Sequence, residues 1–469
     1  MFTQVKPYLS LPGFSCVLVN AGIVPPDLNQ NFRVAFFNEK KSLNFYVLEK
    51  LFLNAEVKLL KPQKETEETF DFIISEIPFS HAFEEERKGL SNSIRNSLKE
   101  KGVLFIEYDS KPGSTPKEEF IRFIRLFLKK VESEQVKTDL EVILSRPSYF
   151  WARNNETRLY FLEKARRFND DFVKREITNE NYRIFSHDEV HELLKDCMLS
   201  FAGRANLEMN DPEIVLFPSH LATLARCGKN NLCKEAVIDF VLDTKQRRDI
   251  YAKFPEVDQE KAIESVADKF FLIPRQSPKN LRREVLLPGG HKLSLSEPVY
   301  DFFFVNSEEP RRLSEHPLYE KSKKTAWKAF YRVLSTGEFI LCVNDDLLED
   351  AKDELPESFE LTPPNDEILK VSFENLEDTY LVSNATKGPA VHLNTLEVIL
   401  LWFASEKGKT KAKEEAVKFL KSREEFIKLG TNIVKAREVK EEDINKTAEK
   451  LFKGRKAFNL NRLKIIRER

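Results

Sequence analysis

Two side chains capable of acid–base or electrostatic chemistry stand near the ends of apolar runs in the first third of the chain. His81 lies shortly after the run Phe70–Ile74, and Asp109 directly follows the run Val103–Tyr108. A histidine can act as a base near neutral pH, and a carboxylate can hold a substrate ammonium group by its charge. The alternative for His81 is an exposed loop position without a chemical role.

The segments around these residues alternate between apolar runs and amphipathic stretches. The predicted strands and helices are Arg33–Phe37, Ser42–Leu53, Glu56–Leu60, Phe70–Ile74, Glu85–Leu98 and Val103–Tyr108. Such alternation favours an α/β layer with a mostly parallel sheet. Ligands of these sheets bind at the carboxyl ends of the strands. We therefore expect any site at Asn38–Asn44, Ser75–His81 and Asp109–Gly113.

A second candidate lies at the start of a predicted helix in the middle of the chain. His187 and His191 are spaced as two ligands of a helical zinc site. However, Asp188 stands where the metalloprotease signature has glutamate, and the sequence offers no evident third ligand. Ser186 and Glu189 have the spacing of a capping box. We expect a helix cap with surface histidines here rather than a metal site.

The stretch Phe70–Gly113 resembles the second half of an S-adenosylmethionine-dependent methyltransferase domain, as found in the bacterial protein-lysine methyltransferase group. The matching features are the aspartate-bearing strand, the turn Glu100–Gly102, the strand end Tyr108–Asp109 and the step Lys111–Gly113. Tyr8, Pro25 and Pro26 fall where that group has its N-terminal lead-in. The resemblance implies a Rossmann-like fold for this part of the chain.

The same resemblance implies S-adenosylmethionine as cofactor, with Asn38, Ser42, Asn44 and Glu56 as cofactor-binding residues. In the family a glycine-rich turn lets the backbone approach the methionine part closely. The aligned stretch Arg33–Asn44 contains no glycine, and the whole chain has only 14. We therefore expect a domain that has lost cofactor binding and a protein without a cofactor. A rebuilt cofactor site is the alternative.

If the domain is active, the resemblance implies in-line methyl transfer from a sulfonium to a lysine amine. Phe79, His81, Tyr108 and Asp109 would then surround the acceptor, and positioning would provide most of the rate. Asp109 replaces the asparagine that the family has there. A nearby anion raises the pKa of a lysine, whereas attack needs the neutral amine. This change counts against methyl transfer.

Residues 186–254 resemble the methyltransferase regulatory domain described in this family. The segments that carry the likeness are Phe185–Asp188, Ala205–Glu208, Ala236–Phe240 and Arg247–Tyr251. Further on, Ser296–Pro298 resembles the opening of the group's C-terminal winged-helix-like domain. Between them, Pro288–Gly290 predicts the tight turn of a hairpin. Residues 255–280 are expected to be a connector, and His392–Thr395 to start a helix.

Composition excludes several classes of protein. Basic and acidic side chains number 75 and 76, and 41% of residues are hydrophobic, which is typical of a globular chain. No run is long and apolar enough for a membrane span, and no signal peptide is evident. Five scattered cysteines argue against a disulfide framework or structural zinc and favour a cytoplasmic location.

Together these features predict an α/β protein of three parts. They are a truncated Rossmann-like methyltransferase domain (1–135), a mainly helical regulatory domain (145–255) and a winged-helix-like domain (265–469). The leading hypothesis is a degenerate pseudo-methyltransferase that acts through protein partners. The alternatives are an active protein-lysine methyltransferase and, because the tail Lys453–Arg469 is basic, a nucleic-acid-binding protein. The sequence does not predict the oligomeric state.

Overall fold

The protein is built on a six-stranded sheet whose two last strands come from the middle of the chain. The computed structural model describes residues 5–61, 66–131, 136–145, 148–167, 179–276, 280–286, 290, 292–305, 309–345, 348, 352–430 and 432–468. The sheet strands are β1 (Phe32–Phe37), β2 (Ala55–Leu60), β3 (Phe70–Ser75), β4 (Leu98–Asp109), β5 (Leu199–Arg204) and β6 (Gln246–Lys253). Their spatial order is β2-β1-β3-β4-β6-β5.

The first four strands are parallel, as the sequence predicts. Strand β6 runs antiparallel to both β4 and β5. The helices that accompany the sheet are α1 (Leu11–Asn20), α2 (Leu43–Leu51), α3 (Glu84–Ser97), α4 (Thr115–Val131), α5 (Val136–Ser145), α6 (Tyr149–Arg153), α7 (Asn155–Arg167), α8 (His187–Leu194), α9 (Pro212–Val215), α10 (Pro218–Ala225) and α11 (Asn231–Val241). The mixed α/β prediction is therefore confirmed for the sheet.

Alternate residues of the strands face two different cores, because side chains of a strand point to opposite faces in turn. On one face, Phe36 and Phe105 belong to a large core that also contains apolar side chains from helices of the C-terminal third. On the other face Phe37 and Ile106 pack against helices α3 and α8. The sheet is buried on both faces, which explains the nearly continuous apolar runs in its parallel strands.

The C-terminal third begins with a small sheet and ends in a helical bundle. Its elements are α12 (Gln259–Ala267), β7 (Phe271–Pro274), β8 (Glu284–Leu286), β9 (Lys292–Ser294), α13 (Asp301–Phe304), β10 (Arg311–Arg312), α14 (Lys323–Ser335), β11 (Phe339–Cys342), β12 (Phe359–Leu361), α15 (Asn365–Asn375), β13 (Thr379–Ser383), β14 (Gly388–Leu393), α16 (Thr395–Lys407), α17 (Lys409–Lys421), β15 (Phe426–Leu429), β16 (Asn432–Lys435), α18 (Glu441–Phe452), α19 (Arg455–Arg462) and β17 (Ile466–Glu468). Strands β8 and β9 form the predicted hairpin, although its turn residues 287–289 lie outside the described residues.

One expectation for local structure is wrong. The expected connector 255–280 contains helix α12 and the buried strand β7, since Ala262, Ile263 and Val266 form an apolar stripe. The helix expected to start at His392–Thr395 is present and begins at Thr395 after the capping side chain of Asn394, whereas His392 itself belongs to strand β14. The winged-helix-like character of this third stays a prediction.

Two cysteines of the middle segment are paired, contrary to the expectation from the cysteine count. Cys227 and Cys233 form a disulfide, with their Cα atoms 5.7 Å apart. The turn at Gly228, which has a φ of +57°, folds the chain back so that the two thiols meet. Cys16, Cys197 and Cys342 are free and buried.

Across the part of the chain that the structure describes, no helix combines the length and apolar character needed to cross a membrane.

Candidate functional site

The carboxyl ends of β1, β3 and β4 meet at one edge of the sheet, where three clusters of polar side chains lie. The first cluster surrounds Glu76, the residue directly after β3, which is 1% exposed. Asn38 Nδ2, Ser42 Oγ and Asn44 Nδ2 donate to this carboxylate over 3.0, 2.8 and 2.9 Å. Three of the four predicted cofactor-binding residues are therefore brought together, and each is bonded to Glu76.

Local sequence explains this geometry. Ser42 caps helix α2 by accepting a hydrogen bond from the Phe45 backbone N–H, and Asn44 follows in the first turn of that helix. The backbone N–H of Glu76 donates to the carbonyl oxygen of Phe37, which places the carboxylate beside the turn after β1. A buried carboxylate needs donors to offset its lost hydration. The three neutral donors meet that need.

The fourth predicted cofactor residue lies elsewhere. Glu56 pairs in register with Arg33 near the start of β1, four residues before the strand end at Leu60. At roughly 3.3 Å per residue this is about 13 Å from the carboxyl edge. Its carboxylate lies on the surface and accepts a 2.7 Å hydrogen bond from Arg33 Nε. The structure thus separates Glu56 from Asn38, Ser42 and Asn44.

The second cluster surrounds Glu107, which is 4% exposed near the end of β4. Tyr8 Oη donates to it over 2.7 Å, Lys6 Nζ over 2.5 Å, and Arg248 Nε over 3.1 Å. The Arg248 guanidinium also lies 3.9 Å from the centre of the Tyr8 ring. The backbone N–H of Lys6 donates to Asn44 Oδ1 over 2.9 Å, which links this cluster to the first.

Neighbouring charges set the protonation states of Glu107 and Tyr8 in this second cluster. Burial alone would raise the pKa of Glu107, but the Lys6 ammonium and the Arg248 guanidinium hold the pKa below its usual value. Burial and the Glu107 charge both raise the pKa of Tyr8. The N-terminal segment is therefore fastened across the carboxyl edge of the sheet by an ionised carboxylate and a neutral phenol.

The third cluster surrounds Asp109. Lys117 Nζ lies 2.6 Å and Tyr182 Oη 2.9 Å from its Oδ2 atom, and His81 Nε2 lies 3.9 Å away. The His81 and Tyr182 rings are 4.8 Å apart. Burial and the neighbouring Asp109 raise the pKa of Tyr182, so this phenol stays protonated. Two of the four predicted catalytic residues, His81 and Asp109, are thus close together.

The other two predicted catalytic residues are core residues. Phe79 is 2% exposed and packs on Phe185, with ring centres 5.3 Å apart. Tyr108 is fully buried and points to the opposite face of the sheet from Asp109, because neighbours on a strand alternate. Its hydroxyl donates a 2.7 Å hydrogen bond to Asp249 Oδ2.

Through Asp249, Tyr108 is bonded to a buried network of ion pairs. Arg247 is 1% exposed and contacts Asp239 over 2.7 Å and Asp249 over 3.0 Å. Arg204 contacts Glu235 over 2.6 Å. Burial would raise the pKa of Asp249, but Arg247 and His187 lower it, so the carboxylate is ionised. The network joins β5 and β6 to helices α8 and α11.

The expectation for His187 is wrong in one respect. Glu189 does complete the predicted cap, since the backbone N–H of Ser186 donates to it over 2.8 Å. However, His187 is 2% exposed and its Nδ1 lies 3.1 Å from Asp249 Oδ2, so it is a core histidine rather than a surface one. Within the described ranges, no group of three or more histidine, cysteine, aspartate or glutamate side chains could hold a metal ion.

Sequence reasoning missed the residues that organise these clusters. Glu76, Glu107 and Lys117 were not singled out. A carboxylate inside or directly after a strongly apolar strand is the signal that could have found Glu76 and Glu107, because an unpaired charge is costly there. Lys117 and Tyr182 are distant in sequence from each other, and no spacing rule connects them to Asp109.

Comparison with known proteins identifies the middle segment of the chain. Residues 169–253 match the family model described as a predicted methyltransferase regulatory domain. The resemblance to this regulatory domain, which the sequence indicates, is confirmed for these residues. Every charged member of the buried network, and His187 with it, lies inside the matched segment. Tyr108 joins that segment to the parallel part of the sheet.

The whole chain also has the fold of solved methyltransferase structures. PKMT2 from Rickettsia typhi superimposes with a TM-score of 0.56 and 14% identity, covering 95% of this chain and 98% of that one. Its complex with AdoHcy gives a TM-score of 0.58 and 14% identity, covering 98% and 99%. The uncharacterized protein sll1526 of Synechocystis sp. is 28% identical over 192 residues, which span 39% of this chain and 37% of that protein.

Proposed function

We propose that this chain is a pseudo-methyltransferase, in which its own side chains close the cofactor position and which acts by binding protein partners. The observation that carries the proposal is the engagement of Asn38, Ser42 and Asn44 with the buried carboxylate of Glu76. These are the side chains that the family resemblance assigned to the cofactor. A ligand would have to displace hydrogen bonds that already satisfy a buried charge.

Backbone access supports the same conclusion. In the family a glycine-rich turn after the first strand receives the methionine part of S-adenosylmethionine, whereas the turn here carries a side chain at every position. The N-terminal segment also crosses this edge, held by Lys6 and Tyr8 on Glu107. The residues at the carboxyl edge therefore do not fit the cofactor of the family.

Calorimetric titration with S-adenosylmethionine and with AdoHcy tests the cofactor half of the proposal. PKMT2 from Rickettsia typhi, whose structure holds AdoHcy, is the positive control in the same buffer. We expect heat from the control and none from this chain at millimolar ligand. Saturable heat from this chain, abolished by the substitution Asn44→Leu, would overturn the proposal.

The active enzyme is the second candidate. This candidate is favoured because almost the whole chain resembles, in fold, a structure that contains AdoHcy. The cluster of Asp109, Lys117 and His81 would then lie beside the acceptor lysine. Transfer of a labelled methyl group to a lysine-rich protein, lost in the Asp109→Ala variant but not in the exposed control Glu39→Ala, would favour this candidate.

Exposed apolar side chains support the partner half of the proposal. Phe240 is 75% and Phe217 43% exposed, and both lie in the segment that matches the regulatory domain. Exposed aromatic residues are typical of protein-binding surfaces. Quantitative cross-linking in the expressing cell should recover a partner with the native chain and less of it with Phe240→Ser. Equal recovery with both chains would contradict a role for this surface.

The nucleic-acid alternative has less support because three basic side chains of the tail have carboxylate partners within the chain. Lys456 pairs with Glu397, Lys453 lies 3.5 Å from Glu354, and Arg467 lies 3.7 Å from Glu360. A nucleic-acid surface needs basic groups that can reach phosphates. We expect no salt-sensitive shift of random duplex DNA; a shift that weakens steeply with salt would favour this alternative over the pseudo-methyltransferase.

A further inference from the structure

A cavity of about 350 Å³ lies at the amino ends of β1 and β2, opposite the edge with the three clusters. Its walls come from the lead-in before β1, the turn before β2, helix α12 and the segments after β11 and β13. The volume is near the lower end of the range for pockets that bind small organic ligands. Five separate parts of the sequence, together with Ser15 of helix α1, build it.

The wall of this cavity includes a lysine in an unusual setting. Lys387 is half-buried, its Nζ donates to the carbonyl oxygen of Leu51 at the end of α2, and it lies 5.5 Å from the centre of the Phe52 ring. Its φ is +49°, a left-handed conformation that disfavours residues with a side chain. Within the described ranges, no carboxylate lies within 4.0 Å of its ammonium group.

The other charged groups of the cavity neutralise each other. Lys269 Nζ lies 2.9 Å from Asp27 Oδ1, and this contact lowers the pKa of Asp27 against the opposing effect of its partial burial. Lys387 therefore leaves one uncompensated positive charge in a cavity that also has apolar walls at Pro26, Phe52 and Phe270. Burial lowers the pKa of Lys387, which means that the charged form lacks hydration that an anion could replace.

We propose that this cavity binds a small organic anion, with an apolar body against Phe52 and Phe270 and a carboxylate or phosphate group on Lys387. A charge-assisted hydrogen bond to a partly buried ammonium would hold the anionic group. Asn54, which lines the cavity just before β2, donates hydrogen bonds to the carbonyl oxygens of Leu28 and Gln30. A sulfonium cation such as S-adenosylmethionine is disfavoured beside Lys387.

Titration of the full chain with benzoate and, separately, with phenyl phosphate tests the proposal. We expect saturable heat with at least one of them, which also shows whether a carboxylate or a phosphate fits better. The variant Lys387→Met removes the charge and keeps the length of the side chain, and it should weaken binding by about tenfold or more. Lys387→Arg keeps the positive charge and should retain part of the affinity for the probe.

The exposed lysine Lys411 provides the matched control, since Lys411→Met changes the net charge equally at a distant helix. Binding that is unchanged in Lys387→Met, or equally weakened in both methionine variants, would overturn the site. Absence of heat with both probes would overturn it as well. Unfolding curves of each variant separate a loss of binding from a loss of folded protein.

Discussion

Asn44 Nδ2 lies 2.9 Å from Glu76 Oε1, so the first turn of α2 is bonded to the end of β3 through a buried carboxylate. The same Asn44 accepts from the Lys6 backbone through its Oδ1 atom. One asparagine thus ties together the N-terminal segment, the helix after β1 and the end of β3. These are the segments that would have to separate around a nucleoside-sized ligand.

Replacing Glu76 should destabilise the fold. The substitution Glu76→Ala leaves Asn38, Ser42 and Asn44 with donors that face a void, and we expect a loss of about 2–4 kcal/mol in the free energy of unfolding. Urea denaturation measures it. Glu39→Ala, at an exposed position of the same turn, should change stability by less than about 0.5 kcal/mol. Coinciding curves for the two variants would contradict the role given to Glu76.

Tyr108 should prove to be a structural residue. Tyr108→Phe removes the hydroxyl that donates to Asp249 while the ring stays buried, and we expect a cost of about 1–3 kcal/mol. Thermal unfolding followed by circular dichroism is the measurement. Tyr46→Phe, at a half-buried position on α2, is the control and should be nearly neutral. A Tyr108→Phe variant with native stability would show that the hydroxyl contributes nothing to the network.

The cap of α8 should make stability depend on acid pH. Partial burial would raise the pKa of Glu189, but the Ser186 backbone N–H and the Lys111 ammonium lower it from 4.5 to about 2. A lowered folded-state pKa stabilises the fold fully above the unfolded value and less as pH falls through the folded value. The contribution should therefore be complete above about pH 4.5 and disappear towards about pH 2.

The variant Glu189→Gln tests this dependence. It should be less stable than the native chain at neutral pH, and the difference should shrink as pH falls through that window. Glu192→Gln, on the same helix, removes a carboxylate whose ion pair with Lys195 is exposed to solvent, and it should show a difference that is small at every pH. A difference for Glu189→Gln that does not vary with pH would refute the linkage.

Gly113 should not tolerate a side chain. A Cβ atom there would lie 2.3 Å from the carbonyl oxygen of Asp243, which belongs to the turn before β6. We expect Gly113→Ala to cost about 1–3 kcal/mol in unfolding free energy, because the backbone on both sides must move. Gly13→Ala, where the nearest atoms belong to the Ser10 side chain, should stay within about 1 kcal/mol.

The parallel strands could be predicted from the sequence because β1, β3 and β4 are apolar runs and helical stretches follow β1 and β3. Strands β1 to β4 agree with the predicted positions. Strands β5 and β6 were not predicted, since the buried charges of Arg247 and Asp249 interrupt the apolar pattern of β6. The turn residues Asn38, Ser42 and Asn44 were found by their place after β1. Their partner Glu76 could have been noticed as a carboxylate directly after the apolar strand β3. Its pairing with these three residues depends on the register between β1 and β3, which the local sequence does not encode.

Strand β4 spans 12 residues and is paired along one side by β6, which the chain supplies only after residue 245. A fragment that stopped near residue 135 would present that side bare, as a template on which further copies could stack. The segment matching the regulatory domain therefore also covers the edge of β4 and prevents aggregation through it. We expect the methyltransferase-like part to be insoluble when it is produced without strand β6.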